Sequence, residues 1–327
     1  MYPGRFEYHA PTTLEEALAT LDRYGDEGKV LAGGQSLLPL MKLRFASPRA
    51  LVDINRVAGL DRLAEEDGEL RIGALVRHRD CERSELLGGR WGVLGDAAPL
   101  ISDPIVRNLG TVAGSLAHAD PQGDWGSALL AAGARVVAAS AGGRREIPLD
   151  ELLLGPFTTA LEPNEIITEV RVPDPGPHAA GTYLKLERRV GDFATVAVAV
   201  HVSFANGTVS RAGIALTAVG PRNLRATAAE EALAGAPLDD EAIREAARLA
   251  AEAAEPRDDV RGSADYKRNV VRVFVERGLR MSARPEERGE VPRAAAAPPG
   301  RPEGTEEFAG QETAEDVMKE IREKEDE

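Results

Sequence analysis

Cysteine is almost absent from this sequence of 327 residues, in which Cys81 is the single example. One thiol forms no disulfide within the chain, and a lone cysteine is too little to ligate zinc or an iron–sulfur cluster. The sequence therefore excludes a cysteine-based metal centre on this chain. If iron–sulfur clusters take part in its work, another subunit must supply them.

Long apolar runs and an excess of positive charge are also missing. No stretch approaches the roughly 18 apolar residues of a membrane-spanning helix. The start MYPGRFEYHAP has neither the basic nor the apolar segment of a secretory signal. The formal net charge is -14, whereas binding nucleic acid usually requires a basic face. We therefore expect a soluble, cytoplasmic protein with no transmembrane segment and no nucleic-acid partner.

The negative charge is concentrated near the C-terminus. Residues 285–327 contain 14 acidic and 6 basic residues, which gives -8 of the total of -14. From about Ala283 the composition changes to Pro, Ala, Gly and Glu, so we predict a disordered acidic tail over 283–327. Its last segment could form a charged helix with an edge of Val317, Met318 and Ile321, although a solubilising tail is the simpler interpretation.

Strands and helices alternate over the first 56 residues, which we predict to be a first subdomain. Thr12 and Glu15 match a capping box at the start of a helix that Gly25 ends. Ser36 is placed to cap a second helix. The other predicted elements are an opening strand, a short buried strand at 29–32, a loop at 33–36, this second helix at 36–43 and a last strand at 51–54.

A second subdomain is predicted for residues 57–174. A hairpin with its turn near Asp67-Gly68 opens it, and a mainly helical part follows. The hairpin is predicted at 60–73, the helical part at 78–132, and two strands at 134–139 and 166–172. The Pro- and Gly-rich segment 173–177 then marks a domain boundary.

Beyond this boundary, strands precede helices, which predicts an α+β domain at 178–282 with a three-stranded sheet. Asn206-Gly207 is a strong hairpin motif between the second and third strands. The predicted strands are at 183–187, 195–204 and 208–216. The predicted helices are at about 227–234, at 239–254, and from Ser263 or Asp265 to about Leu279.

Two glycine-containing loops carry the chemical information. The first, Leu31-Ala32-Gly33-Gly34-Gln35-Ser36-Leu37, lies between a strand and a helix, where glycine lets the backbone approach a ligand and a helix start offers N–H groups to an anion. A pyrophosphate fits this description. An ordinary turn is the commoner explanation of such a loop when it is considered alone.

The second loop, residues 107–115 (RNLGTVAGS), is again rich in backbone donors and small side chains. Asp120 and Asp124 follow it and could accept hydrogen bonds from ribose or ring N–H groups. A tight helix–loop–helix packing site, with Asp124 as a helix cap, is the alternative. Neither loop matches the P-loop or the Rossmann pattern.

Together, these loops resemble one known family. The chain is similar to the flavin subunits of the molybdenum hydroxylases in AGGQSLLPLMKLR at 32–44, LVDINRV at 51–57, RNLGTVAGSLAHADPQGD at 107–124 and YLKLERRVGDFA at 183–194. That family includes the medium subunit of aerobic carbon monoxide dehydrogenase, and its flavin module also occurs within xanthine dehydrogenase. The resemblance extends to about residue 282 and leaves the tail outside.

The resemblance implies an α+β fold with a two-subdomain FAD-binding domain, PCMH-like and of the vanillyl-alcohol-oxidase type, at 1–174. FAD would lie between these subdomains and the C-terminal domain. The first loop would hold the pyrophosphate through the backbone of Leu31, Ala32, Gly33, Gly34, Gln35, Ser36 and Leu37. The second loop would hold the other side of the phosphates and the flavin through Thr111, Ala113, Gly114 and Ser115.

Five further positions match those of the family. Asp124 matches an acidic residue near the cofactor, and Lys185 matches a basic residue that reaches toward it. Ile101 and Ile167 match apolar contacts, and Phe193 matches an aromatic residue that can cover the isoalloxazine face. Ordinary core positions are the alternative for the three apolar side chains, and the solvent side of a strand is the alternative for Lys185. No catalytic side chain or metal ligand is implied on this chain.

One residue departs from the family pattern. The second loop usually carries two adjacent glycines, whereas here Ala113 precedes Gly114. A Cβ restricts the backbone and fills space near a ligand. Because alanine is the smallest such addition, we expect FAD binding to survive it.

The implied function is electron transfer. The chain would take electrons from [2Fe–2S] clusters on a small partner subunit and pass them to quinone or another acceptor. A large molybdopterin-containing subunit would complete a heterotrimer, which would be doubled, with carbon monoxide as the leading candidate substrate. A self-contained FAD oxidase of the vanillyl-alcohol-oxidase type would need a larger substrate domain. A non-catalytic assembly protein without FAD is the other alternative.

Overall fold

The structure is a computed structural model that describes residues 2–283. The predicted acidic tail lies outside these residues. Within the described part of the chain, no helix has the length and apolar character required to cross a membrane. The same residues contain no group of His, Cys, Asp or Glu arranged to hold a metal ion.

The first subdomain is a small parallel sheet with two helices. Its elements are β1 (Glu7–His9), α1 (Leu14–Tyr24), β2 (Gly28–Leu31), α2 (Leu37–Lys42) and β3 (Ala50–Asp53). The strand order is β1-β3-β2, and β3 pairs in parallel with both neighbours. This order of elements confirms the prediction. The cap of α1 differs by one residue, because Thr13 accepts the hydrogen bond from the Glu16 N–H.

The second subdomain contains a five-stranded antiparallel sheet and a group of short helices. It comprises β4 (Leu63–Glu66), β5 (Glu69–Gly73), α3 (His78–Arg83), α4 (Gly92–Ala97), α5 (Pro104–Leu109), α6 (Val112–His118), α7 (Asp124–Ala132), β6 (Arg135–Ser140), β7 (Gly143–Pro148), α8 (Leu149–Leu152), β8 (Leu153–Gly155), β9 (Thr158–Thr159) and β10 (Ile166–Pro173). The sheet order is β4-β5-β10-β6-β7, and β8 pairs with β9.

The C-terminal domain places a sheet against three helices. Its elements are β11 (Ala179–Leu186), β12 (Val196–Ala205), β13 (Thr208–Thr217), β14 (Leu224–Arg225), α9 (Thr227–Leu233), α10 (Asp240–Ala253) and α11 (Ala264–Ala283). The predicted three-stranded sheet gains a fourth strand, β14, which is only two residues long and shows no alternation in sequence. At the β12–β13 turn, Asn206 and Gly207 have φ values of 51° and 80°, as the hairpin motif requires.

The side chains of β12 alternate between two hydrophobic cores, one on each face of the sheet. Ala197 and Ala199 belong to the core shared with the helices of the second subdomain, whereas Val196, Val198 and Val200 belong to the core under α10 and α11. Small residues on the first face let α7 approach the sheet closely. A Cβ on Gly213 of β13 would lie 1.9 Å from the Ala131 carbonyl oxygen of α7. The C-terminal sheet is therefore packed directly on the second subdomain.

Candidate functional site

The two glycine loops are in direct contact. Gly33 lies against the end of α5, where a Cβ on Gly33 would come within 2.3 Å of the Leu109 carbonyl oxygen and 2.8 Å of the Gly110 Cα. Glycine is therefore required at position 33 by backbone packing. Gly34, the next residue, has φ +70°, a conformation that side chains disfavour. The loops are far apart in the sequence, and the fold brings them together.

The first loop presents a continuous run of backbone donors. Within residues 2–283, the N–H groups of residues 32–37 donate to no acceptor of the chain. The carbonyl groups of Gly34 and Ser36 are used, since they accept from Leu38 and Leu40. Ser36 occupies the cap position of α2, but its hydroxyl makes no capping bond. N–H groups that are partly shielded from water gain from an acceptor, and an anion at the start of a helix can supply one.

The second loop adds donors beside the first. The Thr111 hydroxyl accepts from the Gly114 N–H at 3.0 Å and caps α6. Gly110 and Val112 are fixed by a backbone ladder with residues 76–78, in which the His78 N–H donates to the Gly110 carbonyl and the Val112 N–H to the Val76 carbonyl. Among the described residues, the N–H groups of Thr111 and Ala113 have no acceptor. Both loops thus leave main-chain donors for a ligand.

Ala113 fits this arrangement without strain. It lies inside α6, is 4% exposed, and its side chain belongs to the hydrophobic core. It is not among the residues with positive φ. Its Cβ therefore occupies core space, and the backbone conformation needs no glycine here.

Asn55 and Arg77 link the two loops. The Asn55 Nδ2 donates to the Ala32 carbonyl in the first loop at 2.8 Å. Arg77 donates through Nη2 to the Asn55 Oδ1 at 2.6 Å and through Nη1 to the Leu109 carbonyl at 2.5 Å. Neither residue could be singled out from the sequence, because these bonds join positions 22 to 32 residues apart and leave no local pattern.

A buried histidine, His78, packs against Gly110 of the second loop. A Cβ on Gly110 would lie 2.6 Å from the His78 Nε2, and the Trp125 indole donates to the His78 Nδ1 at 2.9 Å. Burial, with a smaller effect of the Arg107 and Arg77 charges, lowers the pKa of His78 to about 4. The imidazole is therefore neutral near pH 7, with Nδ1 as an acceptor.

Asp124 and Lys185 form a buried ion pair at the junction of α7 and β11. The Lys185 Nζ lies 2.9 Å from the Asp124 Oδ2 and donates to the Leu100 carbonyl at 2.8 Å. Its side chain is only 1% exposed, so the solvent-side alternative for Lys185 is wrong. The Tyr183 hydroxyl donates to the Asp124 Oδ1 at 2.8 Å. Burial raises the pKa of Tyr183 well above its usual range, and the charge of Asp124 adds to this effect.

More polar groups extend this cluster across the domain junction. Thr217 of β13 pairs with the Ser127 hydroxyl of α7, and the Asn223 Nδ2 donates to both the Thr217 Oγ1 and the Gly123 carbonyl. A Cβ on Gly126 would lie 2.0 Å from the Asn223 Oδ1, so α7 needs glycine at this position. These hydrogen bonds join the two domains, and among the described residues the buried Oε2 of Glu187, 3.5 Å from the Lys185 Nζ, has no hydrogen-bond partner.

Ile101 and Phe193 lie on two neighbouring surface segments. Ile101 is half-buried, and its carbonyl and that of Ser102 accept from the Arg107 guanidinium. A Cβ on Gly191 would lie 3.1 Å from the Ser102 carbonyl group, so the segment 188–193 covers this turn. Phe193 is 50% exposed, which shows that the core alternative for this residue is wrong. A concave space of about 580 Å³ is lined by residues 188–192.

Ile167 lies in the hydrophobic core. It is buried in β10, where it pairs with Ala138, and α6 packs against this strand. A register shift follows Ile167 at Thr168, whose hydroxyl donates to the Val137 carbonyl. Its position agrees with an ordinary core residue, and a role in contacting a cofactor stays a prediction.

The predicted site residues thus fall into three groups. The two loops adjoin each other and are linked by Asn55 and Arg77. Asp124 and Lys185 form an ion pair, Lys185 also donates to the carbonyl of Leu100, next to Ile101, and Phe193 lies on the segment that covers this turn. Ile167 is a core residue of β10. A dinucleotide's diphosphate fits the first group, because free main-chain N–H groups from two loops are suited to several phosphate oxygens.

Comparison with known proteins agrees with this chemistry. Residues 4–175 match the family described as the FAD binding domain in molybdopterin dehydrogenase, and residues 181–282 match the carbon monoxide dehydrogenase flavoprotein C-terminal domain. The carbon monoxide dehydrogenase medium chain of Hydrogenophaga pseudoflava is 43% identical over 279 residues, 85% of this chain and 97% of that protein. The 6-hydroxypseudooxynicotine dehydrogenase complex subunit alpha of Paenarthrobacter nicotinovorans is 41% identical over 281 residues, 85% and 95% of the two chains.

The fold is shared with a solved structure. A carbon monoxide dehydrogenase from Hydrogenophaga pseudoflava superposes with a TM-score of 0.83 and 45% sequence identity, covering 86% of this chain and 98% of that one. The predicted α+β fold with a FAD-binding domain and a smaller C-terminal domain is thereby confirmed.

Proposed function

This chain belongs to the FAD-binding flavoprotein family of the molybdopterin dehydrogenases and is a FAD-binding oxidoreductase subunit, and we propose that it binds FAD at its two glycine loops. The observation that carries this placement is the run of unused N–H groups at 32–37 beside those of Thr111 and Ala113. Unpaired main-chain donors on two loops that contact each other suit the oxygens of a diphosphate. Bound FAD would supply the redox chemistry, because a flavin exchanges one or two electrons.

The chain's own part is positioning. The first loop would hold the diphosphate, and the start of α6, from Thr111 to Ser115, would hold its other side. Phe193, half-exposed on the segment 188–193, would cover the flavin ring. The Asp124–Lys185 pair would fix the C-terminal domain against the second subdomain, so that the ring is enclosed between them. No side chain of this chain needs to act as a general acid or base.

We propose that a partner supplies the electrons. Cys81 is buried and is the single cysteine, so a [2Fe–2S] cluster must lie on another subunit. A small [2Fe–2S] subunit and a large molybdopterin-containing subunit would complete a heterotrimer in the cytoplasm, and two heterotrimers would associate. Co-expression of the neighbouring genes is expected to yield a complex of three different chains with iron and molybdenum. Purification of this chain alone under those conditions would contradict the proposal.

Carbon monoxide is the proposed substrate of the complex, with quinone as the electron acceptor. The support is similarity to carbon monoxide dehydrogenase medium chains along nearly their full length. The purified complex should reduce a soluble quinone analogue when carbon monoxide is added. Reduction by a hydroxylated nicotine derivative instead would assign the complex to the other group of relatives. Turnover of an alcohol with oxygen by this chain alone would point to a self-contained oxidase.

Substitution of Gly33 by alanine tests the placement of FAD. Its Cβ would lie 2.3 Å from the Leu109 carbonyl oxygen, so the two loops must separate. We expect the G33A complex to retain less than about a tenth of the wild-type FAD, a loss equivalent to about 1.4 kcal/mol or more of binding free energy. FAD content is measured from the flavin absorbance released on denaturation.

Gly142→Ala is the matched control. Gly142 lies in the exposed β6–β7 turn, where the nearest neighbour of an added Cβ would be the Ser140 hydroxyl at 3.6 Å, and its φ is ordinary. Wild-type FAD content is expected in G142A. Full FAD content in G33A would show that the cofactor binds elsewhere, whereas a colourless wild-type complex would favour a non-catalytic assembly protein.

A further inference from the structure

A single guanidinium group connects the two glycine loops. Arg77 immediately precedes α3 and reaches two acceptors: the Leu109 carbonyl, in the second loop, and the Asn55 side chain. The Asn55 amide in turn donates to the Ala32 carbonyl in the first loop. The path from one loop to the other therefore consists of three hydrogen bonds, which involve the side chains of Arg77 and Asn55.

The first end of this path is anchored in the parallel sheet. Asn55 follows β3, and both its backbone N–H and its Nδ2 donate to the Asp53 Oδ1, at 2.9 and 2.6 Å. The Tyr8 hydroxyl of β1 donates to the other oxygen of Asp53 at 2.5 Å. Although burial of Asp53 acts against it, these hydrogen bonds lower the pKa of this carboxyl group. Asp53 therefore stays ionised at neutral pH and fixes the orientation of Asn55.

The second end is equally constrained. The Arg77 N–H donates to the Asp80 carboxylate at 3.0 Å, and residues 76 and 78 form the ladder with Gly110 and Val112. The two terminal nitrogens of the Arg77 guanidinium donate to different acceptors, Nη1 to the Leu109 carbonyl and Nη2 to the Asn55 side chain. An arginine can do this because its planar group has five N–H donors in a fixed fork, whereas a lysine offers one compact ammonium group.

We propose that Arg77, oriented by Asn55, is the positioning residue that sets the spacing of the two glycine loops for a diphosphate-bearing ligand, an inference that rests on the proposed placement of FAD. Neither side chain is assigned a contact with the ligand by the family resemblance. Arg77 acts by holding the Leu109 carbonyl and, through Asn55, the Ala32 carbonyl, and so fixes the distance between the two segments that carry the unpaired N–H groups. Its positive charge also lies beside these donors and favours an anion there.

Arg77→Lys tests whether the fork is needed, because it keeps the charge and loses the two-way bridge. The complex purified with its partner subunits is stripped of FAD, and the dissociation constants of FAD and of ADP, a competitor that contains the diphosphate without the flavin, are measured by titration. We expect both constants to rise by about tenfold or more and in parallel, since one charge-assisted hydrogen bond at the site is lost. The melting temperature of the FAD-free complex should change little.

Arg83→Lys is the matched control, since Arg83 is an exposed residue at the end of α3, the helix that Arg77 precedes, and lies outside the path. It should bind FAD and ADP as the wild type does. Asn55→Asp is the second variant: it keeps an acceptor for Arg77, loses the donor to Ala32 and to Asp53, and places a second carboxylate beside Asp53. The new side chain therefore turns from both, and both constants should again rise together. This variant also provides the test if R77K fails to assemble.

Three results would overturn the inference. R77K and N55D could bind FAD within about twofold of the wild type. The variants could weaken the binding of FAD and leave the binding of ADP unchanged, which would show that they disturb the flavin part of the site and not the diphosphate part. The weaker FAD binding could also be accompanied in both R77K and N55D by a large fall in the melting temperature of the FAD-free complex, which would show that the variants act by destabilising the fold. If the wild-type complex itself bound neither FAD nor ADP, the proposed function would fail first.

Discussion

The glycine loops and the polar cluster between α7 and β11 differ in where their hydrogen-bonding capacity is used. In the loops, the N–H groups of residues 32–37 have no acceptor within the described chain. In the cluster, Asp124 accepts from Tyr183 and Lys185, and Lys185 also donates to the Leu100 carbonyl. Both regions contain residues that the family resemblance assigns to the cofactor.

This difference separates two kinds of site. Polar groups that the fold leaves unpaired are costly unless something else binds them, so they indicate a ligand. Polar groups that pair with each other across a domain junction indicate a structural contact, and their loss exposes uncompensated charge. The loops are therefore expected to control FAD affinity, and the cluster is expected to control stability first.

Lys185→Met should have the largest effect on stability. It leaves the Asp124 carboxylate buried without its charged partner, a change that typically costs about 3–5 kcal/mol. We expect a reduction of about this size in the free energy of unfolding of the FAD-free chain, measured by urea denaturation. The double variant K185M/D124N should lose less than the sum of the two single variants, because it removes both charges.

The control for this prediction is an exposed ion pair. Arg248 of α10 pairs with Glu245 and Glu252, and all three side chains are about half exposed or more. Arg248→Met should change the free energy of unfolding far less than Lys185→Met does, because the charges of an exposed ion pair are already solvated. A K185M variant as stable as R248M would show that the α7–β11 cluster is not the main tie between the domains.

His78, which lies against the second loop, should make the free energy of unfolding depend on pH. Burial, and then the Arg107 and Arg77 charges, lower the pKa of His78 to about 4 in the folded state. The unfolded chain binds this proton near pH ~6.5. The contribution is therefore complete above about pH 6.5 and is lost as the pH falls toward 4, which amounts to roughly 3 kcal/mol.

Comparison with His78→Asn isolates this contribution. An asparagine oxygen can accept from the Trp125 indole as Nδ1 does. The free energy of unfolding is measured at neutral pH and again at a pH just above the pKa of His78 for both proteins. The wild type should lose more stability than H78N over this interval, and equal losses would show that His78 is protonated without cost in the folded chain.

Much of the fold could be predicted from local patterns. The turns Asp67-Gly68 and Asn206-Gly207 are where the sequence indicates hairpins, and all four residues have positive φ. Strand β7 was not predicted because it is an edge strand with polar, exposed residues from Gly143 to Glu146. The first half of β11 was also missed, since Ala179 to Thr182 are mostly poor strand formers whose small size serves the close approach to β12 and α4.

The site could be predicted only in part. The glycine loops and their donors follow from a strand–loop–helix pattern, and the resemblance adds the other positions. The pairing of Asp124 with Lys185 and the exposure of Phe193 depend on how two domains meet, which no local pattern records. Asn55 and Arg77 could not be found for the same reason, because their partners are brought near by the fold. The contacts of these residues with FAD stay predictions.

Ala113→Gly should have the smallest effect and tests the loop side of the comparison. The Ala113 side chain is buried in the core and its backbone is helical, so this position does not need the conformational freedom of glycine. Restoring the family's pair of glycines should leave the FAD dissociation constant within about twofold of the wild type. Stability should fall by about 0.5–1 kcal/mol, because glycine is less favourable than alanine in a helix. A113G that binds FAD much more tightly would show that the methyl group restricts the ligand, and the free N–H groups alone would then not explain affinity at this loop.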